Sequence, residues 1–255
     1  WTPFITSLFT STSATCVTGL VLVDTFTHWS IFGQLVLLIL IQIGGLGFIT
    51  IGITVSLILR KKIGLKQRGL IKESLNTLEI GGVVRLVRRV IGGTFLFEMS
   101  GAFILTLRFL KDMDVLHAIY YGIFHSISAF CNAGFDVLGK GNSLISFNTN
   151  VVVIMVLSIL IIIGGLGFTV WSELYTCKSI KRVSIHSKMV LLITTGLVVG
   201  GTLLMFLFEH NNPQTISKMS FINKLTNSFF ASVTPRTAGF NSISTSGMTT
   251  AGQFL

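Results

Sequence analysis

Three glycines end three matching segments. Leu8 to Leu20 (LFTSTSATCVTGL), Ile123 to Phe135 (IFHSISAFCNAGF) and Phe229 to Asn241 (FFASVTPRTAGFN) align without a gap and keep one spacing from Phe to Gly, so Gly19, Gly134 and Gly239 are equivalent. The residues beside them, Val17, Thr18 and Leu20, Asn132, Ala133 and Phe135, Thr237, Ala238 and Phe240, supply no acid or base. What such loops offer is mostly main-chain oxygen. A dehydrated monovalent cation needs several oxygens at once, and carbonyls ringed about an axis replace its hydration shell. A strand whose carbonyls face one axis needs unusual dihedrals, which glycine adopts at little steric cost.

Other residues with chemical potential are scattered. Glu98 is the lone formal charge in the run Val90 to Leu107; an intramembrane carboxylate is a functional candidate by default. With no charged partner at its depth, it is expected to be protonated or helix-bonded in a structural role. Arg236 lies three residues before Gly239. A cation facing an ion path would repel the ion, so its side chain is expected to point away and bond the free carbonyls ending its own helix. His117 and His125 have no second ligand at i+4 and read as packing residues. Cys16 and Cys131 are equivalent and read as small side chains behind the loops; with Cys177 they make no C-x-x-C and no disulfide framework. Neither H-E-x-x-H nor G-x-S-x-G occurs, so an enzyme lacks its acid/base or nucleophile-base set.

The elements that must hold these loops are membrane spans. Of 255 residues, 51% are hydrophobic and 11% charged, against about 25% charged in soluble domains. That excludes a soluble globule and a disordered chain and leaves an all-α polytopic membrane protein. Thr25 to Leu59, Val90 to Leu107 (but for Glu98), Gly141 to Ser172 and Met189 to Phe208 are uncharged and long enough to cross. Nine of 19 Lys and Arg lie in Arg60 to Arg89 and four in Lys178 to Lys188, and the positive-inside rule puts both segments in the cytoplasm. Val115 to Phe135 must then enter and return on the outer face. The alternative is an amphipathic helix on the outer surface. Irregular backbone at membrane depth is tolerated where protein encloses it or it lines a water-filled path, which makes a re-entrant segment a pore candidate.

A second repeat supports this reading: QIGGLGFIT (Gln42 to Thr50) and IIGGLGFTV (Ile162 to Val170) each follow a glycine segment. Lying inside spans, they lack the strand-turn-helix context of a phosphate loop, so nucleotide binding is excluded and close helix packing or bending is expected. Gly196 and Gly200 also read as packing glycines. The unit is span, re-entrant helix, glycine loop, span. Residues 1–59 hold the helix, loop and second span of unit 1, 60–89 a cytoplasmic linker, 90–175 all of unit 2, 176–188 a second linker, and 189–255 the first span, helix and loop of unit 3. The opening at Trp1, without Met or a basic leader, reads as a piece of a longer chain, with a span before it and at least one after Leu255.

The loops V-T-G-L, N-A-G-F and P-R-T-A-G-F, with I-G-G-L-G-F in the following helix, resemble the Trk/Ktr/HKT superfamily of potassium transporters, and most closely the KtrB-type subunits of bacterial Ktr systems. The resemblance covers essentially the whole chain. It implies four units around one pseudo-fourfold pore, present here as an incomplete fragment, with a multi-pass location in the bacterial plasma membrane. It further implies a homodimer of pores and a cytosolic ring of nucleotide-binding regulatory subunits. The filter positions carry over to Val17, Thr18, Gly19, Asn132, Ala133, Gly134, Thr237, Ala238 and Gly239. Potassium is then the transported ion; sodium coupling, a less selective sodium/potassium pore and a non-conducting assembly partner stay open. No covalent cofactor and no nucleic-acid partner are expected, and Arg60 to Arg89 is either a lipid-facing basic loop or the docking surface for the ring. Unit 4 and the gating helix that the family has after the third loop are absent from the sequence.

Overall fold

The computed structural model describes residues 2–47, 83–139, 143–176 and 183–255. Within these, every regular element is helical. The helices are α1 (Phe4–Thr15), α2 (Thr25–His28), α3 (Ile31–Leu46), α4 (Val83–Phe109), α5 (Val115–Phe130), α6 (Val151–Gly165), α7 (Phe168–Thr176), α8 (Ile185–Glu209), α9 (Phe221–Val233) and α10 (Thr250–Phe254), with short 3-10 turns at Ser143–Phe147 and Thr245–Gly247. Most begin on a polar cap: Asp24, Ser30, Asp114, Ser184, Ser220 and Thr249 each accept from a backbone N–H of the first turn, satisfying donors that a helix start leaves open.

Val87–Phe109 and Ile185–Glu209 are long and apolar enough to cross a membrane. α4 begins at Val83, inside the segment read as the 60–89 linker; residues 60–82 of that linker, and residues 178–182 of the second basic segment, lie outside the described residues. The two other expected spans differ from a straight helix. α6 and α7 meet at 95°, and α3 stops at Leu46 with its continuation outside the described residues. The cause is common to both: the third glycine of each repeated word, Gly47 and Gly167, is left-handed at φ 78 and 89, which a right-handed helix cannot contain.

The other two glycines of each word act by closeness. A Cβ on Gly44 would strike the Thr15 carbonyl at the end of α1, and one on Gly164 the Phe130 carbonyl at the end of α5. A Cβ on Gly45 would strike Cys131, and one on Gly165 would lie 3.3 Å from the Asn132 amide and 3.6 Å from the Arg236 guanidinium. In both copies, then, the first glycine receives its own short helix; the second receives the next loop at Cys131 in one copy, and borders both its own loop and the next in the other. No described residue comes within 4 Å of a Cβ on Gly196 or Gly200, so the packing expected of them is not seen among the described residues. Gly201 makes a close contact, against Ser232 of α9.

α5 is the centre of the molecule. Phe124, His125, Ser126, Ser128 and Ala129 have no exposed surface, so the second half of α5 is enclosed by protein, while Val115 and Leu116 at its start are exposed. α4 lies against it closely because Gly122 faces the Ala102 carbonyl and the Thr106 side chain, and Ser126 Oγ donates to the Glu98 carbonyl at 2.6 Å. Below the bend, Trp171 of α7 fits over Gly93 and meets Phe97 and Phe130 edge-on, centroids 5.8 and 6.4 Å apart.

Candidate functional site

α1, α5 and α9 all end at a glycine loop, and the three loops share a backbone. Gly19, Gly134 and Gly239 have φ of 74, 70 and 74. The residue two before each is left-handed as well: Val17 at 56, Asn132 at 56 and Thr237 at 65. Sequence reasoning found the glycines and missed this second position, because β-branched Val and Thr avoid such dihedrals; strain of that kind collects at functional sites. Left-handed residues alternating with an ordinary one break the extended-strand pattern in all three loops alike.

The loops lie edge to edge. A Cβ on Gly19 would sit 2.8 Å from the Ala133 carbonyl oxygen, and one on Gly134 would sit 2.6 Å from the Ala238 oxygen and 3.0 Å from the Gly239 Cα. All three loops border one cavity of about 760 Å³, through Val17 and Thr18, Cys131 and Asn132, Thr237 and Gly239, with Gly44 and Gly45 on its wall. The helix C-termini converge on it, and their partial negative charge favours a cation there.

Each loop is also tied back to its helix. Ser13 Oγ donates to the Leu20 carbonyl at 2.7 Å, Ser128 Oγ to Phe135 at 2.7 Å and Thr234 Oγ1 to Phe240 at 2.6 Å. The aligned serines at 13 and 128 are the signal that was available; the third copy hides it by one position. Pro235 has no N–H to continue the helix, so α9 ends two residues earlier relative to its glycine than α1 and α5, and Thr234 replaces Val233 as the donor. The Asn132 amide, with its nitrogen inward, donates to the Ile161 and Ala129 carbonyls at 3.3 and 3.0 Å and holds the middle loop from behind.

Arg236 faces away from the cavity as expected, but its expected partners are wrong. Nη2 donates to Thr194 Oγ1 of α8 at 3.3 Å, not to the carbonyls ending α9, because Gly165 leaves room for the guanidinium beside α8. Glu98, 6% exposed, accepts from Gln42 Nε2 at 3.0 and 3.2 Å through its two oxygens. Its partner is a side chain on another helix, the first residue of the repeated word, and Cys131 Sγ stands 3.9 Å away. His125 is a core residue, bonded through Nδ1 to the Tyr121 carbonyl at 2.8 Å and packed on Phe109 and Phe240; His117 meets Tyr121 edge-on. Cys131 is buried behind its loop while Cys16 is exposed.

Helices that span, bend at a left-handed glycine and enclose repeated glycine loops define a multi-pass membrane protein of the cation-transport class. The chain belongs to the TrkH family, cation transport proteins, whose model matches residues 2–255. It is 44% identical over 254 residues to the potassium/sodium uptake protein NtpJ of Enterococcus hirae, covering 100% of this chain and 56% of that protein. It is 42% identical to the Ktr system potassium uptake protein B of Bacillus subtilis, over 94% of this chain and 54% of that one. The protein of the same name in Vibrio alginolyticus is 37% identical, over 93% and 52%. The chain thus spans about half the length of the curated relatives it matches. The family is one of transporters, not enzymes.

Proposed function

We propose that the full-length protein moves potassium across the cell membrane through a carbonyl-lined filter made by Val17, Thr18 and Gly19, Asn132, Ala133 and Gly134, and Thr237, Ala238 and Gly239. α1, α5 and α9 are its re-entrant pore helices. The observation that carries this reading is the pair of left-handed residues repeated in three loops that lie edge to edge. Residues 1–59, 90–175 and 189–255 belong to units 1, 2 and 3, joined by cytoplasmic linkers at 60–89 and 176–188. A fourth unit closes the ring. Leu20 of the first loop, 62% exposed where Phe135 and Phe240 are buried, marks the first loop as an open side that a fourth unit would cover. The proposed assembly is a homodimer of such pores on a cytosolic nucleotide-binding ring; the word system in the Ktr names of the relatives supports a multi-component assembly and no more.

Purified full-length protein in liposomes tests this through potassium, rubidium and sodium flux. Gly134→Ser puts a Cβ against the Ala238 carbonyl at a left-handed residue, a cost on the order of 1 kcal/mol or more. The potassium-to-sodium preference should fall while the protein still reaches the membrane; an unchanged preference rejects the filter. The second reading, a less selective or sodium-dependent pore, is favoured by the potassium/sodium name of the Enterococcus hirae relative, and equal or mutually dependent fluxes of the two ions would establish it. No flux at all would leave a non-conducting assembly partner.

A further inference from the structure

We infer that Ser13, Ser128 and Thr234 are positioning residues that set how sharply the loops discriminate between ions, by holding the carbonyl after each glycine out of the ring. This rests on the filter reading and says where the filter ends. The carbonyls of Leu20, Phe135 and Phe240 are each taken by a hydroxyl in or capping the loop's own helix, so the oxygens free to face an ion stop at the glycine.

Two features separate this from incidental packing. First, the bond keeps its length while the surroundings change: Phe135 and Phe240 are buried and Leu20 is 62% exposed, yet the three distances agree within 0.1 Å. Second, the bond persists although its donor moves. Relative to the glycine, the third copy draws its hydroxyl from one residue later, where Pro235 has shortened the helix, and Thr234 still reaches the equivalent carbonyl. The clamp fixes the glycine-side end of each loop to a helix of 12, 16 or 13 residues. Without it the following peptide can rotate and present its oxygen to the ion, and the loop can draw in around a smaller cation. Discrimination by size or by the number of coordinating carbonyls weakens in either case.

The test uses the full-length protein in liposomes, with the ratio of potassium to sodium flux as the readout. Ser128→Ala and Thr234→Val each remove a clamp and should lower the ratio about fivefold, the worth of one net hydrogen bond. Ser128→Thr and Thr234→Ser keep a hydroxyl and should restore it, which a purely structural role would not require. Thr234 is only half-buried, so Thr234→Val decides the question should Ser128→Ala fail to accumulate. An unchanged ratio in both deletions, with Gly134→Ser still lowering it, overturns the inference and leaves the filter standing. An unchanged ratio in all three overturns the filter as well.

Discussion

Glu98 is the residue whose environment most restricts what it can do. Its carboxyl accepts from the Gln42 amide and, at 3.9 Å, from the Cys131 thiol, and otherwise borders an apolar recess with Phe95, Met99 and Ile127. A neutral amide in its place still accepts from Gln42, so Glu98→Gln should cost the full-length protein less than about 1 kcal/mol. Gln42→Leu removes the amide donor and leaves the carboxyl only the long thiol contact, at about 1–3 kcal/mol. Thermal unfolding in detergent measures both, and equal losses would mean that Glu98 draws its stability from elsewhere. The partnership was invisible in the sequence because 56 residues separate the two side chains. Gln42 was in plain view as the first letter of a repeated word, but the second copy has Ile162 at that position, so the repeat offered no hint that the amide mattered.

At the scale of elements, repetition made the glycine loops legible and hid their differences. Three aligned segments were enough to place Gly19, Gly134 and Gly239 in equivalent loops, since an alignment reports which backbone positions recur. It could not report the shortened α9, which follows from one missing N–H at Pro235, or the left-handed Val17, Asn132 and Thr237, whose residue types do not announce such dihedrals. The α6–α7 corner is a similar case. Its glycines were expected either to pack or to bend, and they divide the work: Gly164 and Gly165 pack, and Gly167 bends. A Cβ on Gly167 meets nothing within 4 Å, so Gly167→Ala should act through φ alone, costing about 1 kcal/mol and favouring a straighter helix. Spin labels at Val152 and Tyr175, both exposed, should then report a longer or broader distance distribution. An unaltered distance would show that the seating of Trp171 against α4 and α5 is sufficient to hold the corner.

For the whole molecule, topology ties the chain to its membrane. α8 runs from the basic side at Ile185 to the opposite side at Glu209, whose carboxylate is 1% exposed and accepts from Asn212, Thr215 and the backbone and side chain of Thr249. In a cysteine-free full-length protein, a cysteine at Lys218 should react with an impermeant thiol reagent from outside, and one at Tyr175 only after the cytoplasmic face is opened. Labelling of both from the same side would break the charge-based orientation. The paired glycine words also make the seams between units unequal. A Cβ on Gly45 would strike Cys131, while Gly165 borders Asn132 and Arg236. Transplanting the second loop into the third place would leave Gly165 and Thr194 facing a thiol, and the reverse exchange would press a guanidinium into the gap beside Gly45. The loops are therefore not interchangeable, and their order is fixed at their borders.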